Sequence, residues 1–150
     1  MKKFIISIDA GTTSNRSILF DLKGRPVFSS QKEFTQYFPK SGWVEHNPDE
    51  IWKTTLKTLQ DVILKAKKLK GKVLTIGITN QRETTVLWNK KDGKPVYRAI
   101  VWQDRRQEEF CKKLRKKNKD TMIFNKTGLL IDSYFSGTKI KWILDNVPKA

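Results

Sequence analysis

Apolar residues enter this chain in short extended runs and return further on in a helical stripe. "FIISIDA" (4–10) and "RSILFDL" (16–22) are rich in β-branched and aromatic residues, the composition of strands. "KGRP" (23–26) turns the chain, and "VFSSQKEFTQYF" (27–38) is a third extended run. The three predict an antiparallel meander. A loop, "PKSGWVEHNP" (39–48), leads into a helix announced by Asn47 as cap, Pro48 at the first helical position and Glu50 three residues after the cap. Ile51, Trp52, Leu56, Leu59, Val62, Ile63, Ala66 and Leu69 then recur at helical spacing as one apolar stripe, and Gly71 marks the end of the helix.

The second half begins with "VLTIGITN" (73–80), an apolar run with the composition of a strand buried on both faces. "TTVLWN" (84–89) and "PVYRAIVW" (95–102) flank "KKDGK", which reads as a hairpin with an Asp-Gly turn. Asp104 is placed to cap a helix running to about Asn118; a short helical stretch follows around 119–126; "SGTKIKWILDNV" (136–147) starts with a Ser cap and forms a last helix. Three strands, a long helix, a strand, a hairpin and helices define a mixed α/β sheet. They do not give the strict alternation of a dinucleotide-binding fold, and no GxGxxG occurs.

Composition narrows the classes. The 150 residues suit about one ordinary domain, and 37% hydrophobic residues with five Trp and eight Phe argue for a packed core rather than disorder. The single cysteine, Cys111, excludes an internal disulfide framework, and no Cys/His spacing suggests zinc. A reducing, cytosolic setting is the expectation. The apolar run after Lys2 and Lys3 ends at Asp9, too short for a signal peptide, and no stretch approaches a membrane span. Thirty-one basic and 15 acidic residues give a net charge of +16. That permits a basic nucleic-acid-binding module, yet "KAKKLKGK" and "KKLRKKNK" lack the interleaved aromatics of a single-strand reader, and lysine-rich solvated surface accounts for them more simply.

Two stretches carry candidate chemistry. In "DAGTTSNRSILFD" (9–21), Gly11 lets the backbone approach a ligand, and successive N–H groups of such a turn bind anions. Thr12, Thr13 and Ser14 add hydroxyls, and Arg16 can neutralise a phosphate. Asp9 suits such a site only with a hard cation such as Mg²⁺ between it and the phosphate. A hairpin turn rich in turn-forming residues accounts for the stretch equally well. In "NQRETT" (80–85), Arg82 offers several donors and Glu83 two acceptor oxygens, while Trp102 and Tyr134 offer flat apolar faces that suit a small polyol. Taken singly, a surface ion pair and rim aromatics are the plainer reading of these four. His46, the only histidine, reads as a loop hydrogen-bonding residue. Cys111 lies in a basic helix that would lower its pKa, and with no second histidine as base it reads as a packing residue. Lys139 and Lys141 in "GTKIKW" could face phosphate, but helix-surface charge is the plainer reading.

The phosphate-loop stretch resembles the first such loop of the actin/hexokinase-like ATPases, whose domains have a ribonuclease H-like fold. "GWVEHNPDEIW", "IGITNQRETTVLW", "AIVWQDRR" and "NKTGLLIDSYFSGTKIKWILDNV", in that order, resemble the glycerol kinases of the FGGY carbohydrate kinase family along essentially the whole chain. "NQRETT" and "YFSGTKIKW" are specific in combination, and other sugar kinases of the family usually differ at "QRET". The resemblance implies transfer of phosphate from ATP to glycerol, giving sn-glycerol 3-phosphate and ADP. It implies that Arg82, Glu83, Trp102 and Tyr134 contact glycerol. It likewise implies that the loop with Gly11, Thr12, Thr13, Ser14 and Arg16 binds the ATP phosphates and that Asp9 lies near Mg²⁺. It further implies a cytoplasmic protein that is a homo-oligomer when full length, with glycerol rather than nucleic acid as its partner. Members of the family are much longer and have two domains, so residues 1–150 are expected to form the N-terminal part of the first, with the catalytic Asp beyond Ala150. Ala10 stands where glycerol kinases commonly have Gln, a change expected to alter hydrogen bonding around the loop. A kinase of another polyol or sugar is the competing expectation.

Overall fold

A computed structural model describes every residue except Lys149. Two compact units can be distinguished, Met1–Thr35 with Asn47–Gln81, and Gln36–His46 with Arg82–Ala150.

The first unit is built on the expected meander. β1 (Lys2–Ala10), β2 (Ser14–Asp21) and β3 (Pro26–Glu33) pair antiparallel in succession. The third run stops at Glu33, short of the 27–38 expected. α1 (Pro48–Lys68) follows, and β5 (Gly71–Thr79) returns parallel to β1, giving the sheet order β3-β2-β1-β5. Phe4, Ile6 and Ile8, every second residue of β1, bury one face of the sheet with Leu19 against Val62 and Ala66 of α1. Polar groups pin the same interface. The Asn15 amide donates to the Ile51 carbonyl at 3.0 Å and to Thr54 at 2.7 Å, and Ser17 and Thr58 hydroxyls meet at 2.9 Å.

Asn47 does cap α1, its Oδ1 accepting from the Asp49 N–H at 2.9 Å. Glu50 instead accepts from the Thr35 N–H. The apolar stripe is narrower than expected, because Trp52 is 63% exposed and Leu56 lies at the margin. The helix ends through Lys70, which takes the left-handed conformation (φ 53°) expected of Gly71. Gly71 is needed for another reason: a Cβ there would lie 2.1 Å from the Phe4 ring. The expectation that 73–80 is buried on both faces is overturned. Leu74, Ile76 and Ile78 of β5 are 47%, 43% and 73% exposed. Among the described residues β5 pairs only with β1, and α1 lies mainly over β2 and β3, so the apolar side chains of this edge strand sit beyond the helix.

The second unit has little regular sheet. β4 (Glu45–His46), inside the stretch expected to be loop, pairs with β6 (Ala99–Ile100). The expected hairpin closes through bridges Thr85↔Ile100 and Trp88↔Pro95, with Gly93 at φ 71° in its turn. α2 (Glu108–Lys116), α3 (Asp120–Thr127) and α4 (Ser136–Asn146) complete the unit. Asp104 does not cap α2, which starts after Gln107. It turns inward and accepts from the Val44 and Arg106 N–H groups and from the Arg106 guanidinium. Cys111 is buried, and burial raises its pKa rather than the basic helix lowering it. His46 is buried, with Nε2 2.6 Å from the Gln36 side-chain oxygen. No helix among the described residues is long and apolar enough to cross a membrane.

Candidate functional site

The residues expected to bind phosphate occupy the turn between β1 and β2. Asp9 and Arg16 face each other in the strand register, and their side chains form an ion pair at 3.1 Å, each nearly half exposed. Such a pair adds little stability in water, but it fixes where the guanidinium stands. Arg16 reaches Asp9 Oδ2, and Oδ1 accepts no hydrogen bond from another described residue. Gly11 closes the turn by donating its N–H to the Ser14 carbonyl at 3.0 Å, and a Cβ on Gly11 would stand 2.9 Å from that oxygen. The Thr13 carbonyl accepts from the Phe34 N–H, and the Ser14 hydroxyl accepts from Gln31. Gly11, Thr12, Thr13, Ser14 and Arg16 thus lie together on one tight, polar turn, with Thr13 and Arg16 exposed.

Mg²⁺ can be tested against Asp9 on the same geometry. No group of three or more potential ligands that could hold a metal occurs among the described residues. Asp9 offers one open hard oxygen, which fits a cation that keeps water and phosphate oxygens as its other ligands.

In the second unit the predicted polyol residues are gathered by one helix end. Glu83 has φ 60°, a left-handed backbone that is uncommon for a residue with a side chain. Its carboxylate Oε2 accepts from both the N–H and the hydroxyl of Ser136, each at 2.8 Å. Ser136 is the first residue of α4 and not its cap; the distant Glu83 satisfies the helix end, where a carboxylate is also favoured by the helix dipole. Trp102 and Tyr134 meet edge to face, with ring centres 5.9 Å apart, and Tyr134 packs on Phe135 at 5.1 Å. The paired N–H···O bonds between Thr85 and Ile100 place Glu83 and Trp102 on neighbouring segments, each two residues from the bridge. Asp132 accepts from the Tyr134 N–H at 2.7 Å and pairs with Arg105. Arg82 is exposed, and its guanidinium bonds no other described residue. Glu83, Trp102 and Tyr134 are therefore joined in one cluster, and Arg82 extends from the same turn.

Lys139, expected on the helix surface, is fully buried. From the first turn of α4 its ammonium donates to the carbonyls of Glu83, at 3.0 Å, and Tyr134. Burial pushes its pKa down to about 8, against the pull of Glu83, Asp104 and Asp132. Lys141 does lie at the surface, paired with Asp145. The sequence marked neither Ser136 nor Lys139 as part of this cluster.

Beneath the Trp102 segment lies a buried charge centre. Arg106 makes two bonds to Asp104, at 2.9 and 2.8 Å, and one to Glu45 at 2.8 Å, and stacks over the Trp43 ring at 3.8 Å with Trp142 at 4.6 Å. Tyr97 donates its hydroxyl to Glu45. Burial opposes the Arg106 charge, but Asp104 and Glu45 outweigh it and the guanidinium is held above its ordinary pKa.

A three-stranded antiparallel meander, a helix and a strand returning parallel to β1 are the ribonuclease H-like arrangement of the actin/hexokinase-like ATPases. The chain belongs to the FGGY family of carbohydrate kinases, whose N-terminal domain matches residues 4–150. It is 60% identical over 149 residues to a glycerol kinase of Malacoplasma penetrans, covering 99% of this chain and 29% of that relative. Among solved structures it superposes on Plasmodium falciparum glycerol kinase with ADP at a TM-score of 0.91 and 39% identity, over 98% of this chain and 29% of that one. A gluconate kinase from Lactobacillus acidophilus matches at a TM-score of 0.88 with 23% identity over 97% of this chain and 29% of that one, which shows the shared fold alone. The chain thus spans about three tenths of the length of the relatives it matches.

Proposed function

We propose that this chain supplies the N-terminal part of the first domain of a glycerol kinase that uses ATP and Mg²⁺. In this reading Glu83 accepts from glycerol hydroxyls through Oε1, since Oε2 is committed to Ser136. Arg82 donates to the polyol, and Trp102 and Tyr134 cover its carbon chain with apolar faces. In the first unit, the N–H groups and hydroxyls of the turn from Gly11 to Ser14 hold the ATP phosphates. Arg16, anchored by Asp9, supplies positive charge. A divalent ion held through Asp9 would neutralise phosphate charge during transfer. The chain's own contribution is binding, orientation and charge; the base that takes the hydroxyl proton belongs to the part of the protein beyond Ala150.

The observation that carries this reading is the gathering of Glu83, Trp102 and Tyr134 around one helix end. A carboxylate acceptor beside two aromatic faces suits a small, neutral, polyhydroxylated substrate. The complete protein that carries this chain, given Mg-ATP labelled at the γ-phosphate and a panel of glycerol, erythritol, xylulose and gluconate, should label glycerol selectively. Glu83→Gln should raise the KM for glycerol and spare that for ATP. Residues 1–150 alone should show no turnover. Labelling of another acceptor would keep the kinase and discard glycerol. No transfer to any acceptor would reduce the β1–β2 turn to a binding site at most.

A further inference from the structure

A lysine ammonium withdrawn from water needs a reason. Lys139 lies in the first turn of α4 with no exposed surface, and burying a charge without a carboxylate in direct contact is costly. The head group makes no ion pair with any described residue. It spends its donors on two backbone carbonyls, and these belong to Glu83 and Tyr134, on segments far apart in sequence. Both are residues of the polyol cluster. One of them, Glu83, also holds the left-handed backbone conformation that needs outside support.

We propose that Lys139 is a positioning residue of the polyol site, its ammonium joining the Glu83 and Tyr134 carbonyls and so fixing the distance between the carboxylate and the aromatic face that read the substrate. This rests on the assignment of the cluster to glycerol. α4 then organises Glu83 twice. Its first N–H and the Ser136 hydroxyl hold the side chain, and Lys139, one turn on, holds the backbone. Tyr134 is fixed from the other side by the Asp132 side chain. The consequence is geometric. Without the ammonium, two carbonyls facing one small space repel, the Glu83 turn relaxes towards a right-handed conformation, and the carboxylate and the ring drift apart. A displacement near 1 Å at a binding group is enough to cost about tenfold or more in efficiency.

The test uses the complete protein, with Glu83→Gln, Lys139→Met, Lys139→Gln and Ile143→Ala compared with the parent. Ile143 is a fully buried α4 residue outside the cluster and serves as the control for lost packing. Lys139→Met should raise the KM for glycerol by about tenfold or more and leave the KM for ATP within about twofold. Lys139→Gln, whose shorter amide can reach one carbonyl, should fall between it and the parent. Ile143→Ala should lower thermal stability without changing either KM. If Lys139→Met does not accumulate as folded protein, Lys139→Gln carries the test by the same criterion. A glycerol KM that responds to Glu83→Gln but not to either Lys139 variant would overturn the proposal and leave the site standing. A glycerol KM indifferent to Glu83→Gln would overturn the site assignment and this proposal with it. An equal rise in Ile143→Ala would reduce Lys139 to ordinary packing.

Discussion

Replacing Arg106 by Met tests how much the buried charge centre contributes to folding stability. The side chains of Arg106, Glu45 and Asp104 are 1%, 3% and 0% exposed. Met matches much of the stem and can pack between Trp43 and Trp142, but it removes three charged hydrogen bonds. Asp104 would keep its donors from the Val44 and Arg106 N–H groups, and Glu45 would keep the Tyr97 hydroxyl. Neither would keep a cation. Breaking a buried pair by removing one partner costs about 3–5 kcal/mol, and for a chain of this size that corresponds to a fall in Tm of roughly 6–20 °C. Arg106→Lys retains the charge without the planar fork, and losing one charged bond should cost about 1.5–3 kcal/mol. Urea and thermal unfolding followed by tryptophan fluorescence is the assay, since Trp43 and Trp142 flank the guanidinium. A variant as stable as the parent would refute the electrostatic reasoning and leave Arg106 as a packing residue.

Two further perturbations follow from the same structure. The Lys139 pKa of about 8 lies below its unfolded value. The unfolded chain therefore holds a proton that the folded one has released between about pH 8 and pH 10.5, and stability should rise with pH across that window by at most roughly 3 kcal/mol. Glu83, Asp104, Asp132 and Arg105 are the charges that act on it. Lys139→Met should lack that rise, so urea midpoints of parent and variant that run parallel from pH 7.5 to 10.5 would count against it; Cys111 and Tyr97 titrate in both proteins and cancel. Gly11→Ala should force the β1–β2 turn open, because its Cβ would meet the Ser14 carbonyl at 2.9 Å. Strain of this kind costs about 1–3 kcal/mol, and nucleotide titration by calorimetry should show ATP affinity lowered by about tenfold or more. Unchanged affinity would remove the turn from the phosphate site.

What could be read from the sequence divides along a physical line. Periodicity reports which face of an element is apolar, and caps report where a helix begins. The meander, α1 with its Asn47 cap and the hairpin turn at Gly93 were therefore legible from local residues. Periodicity does not report what lies opposite. Leu74, Ile76 and Ile78 have the composition of an interior strand, but their exposure is decided by α1 lying mainly over β2 and β3. Asp104 has the composition of a cap, but Arg106 and the Val44 N–H draw it inward before the helix begins. The same distinction governs the two candidate sites. The proposed phosphate turn is local, with Asp9, Gly11, Ser14 and Arg16 all within eight positions and their contacts set by one strand register.

The proposed polyol cluster depends on contacts across more than fifty positions, from Glu83 to Ser136 and Lys139. In "SGTKIKW" the two lysines stand two residues apart, which puts them on different sides of a helix. Only the fold decides which of the two faces water. The answer has chemical content. Lys141 finds Asp145 on its own helix, where solvent weakens the pair. Among the described residues the Lys139 ammonium hydrogen-bonds only carbonyls, whose dipoles can satisfy an ammonium without neutralising it. A buried charge left in that state is sensitive to any movement of the two carbonyls that hold it, and those carbonyls carry the acceptor and the aromatic wall assigned to the substrate. The structural cost of burying Lys139 and the precision that the proposed site asks of Glu83 and Tyr134 would then have the same origin: an α4 end that joins two segments distant in sequence.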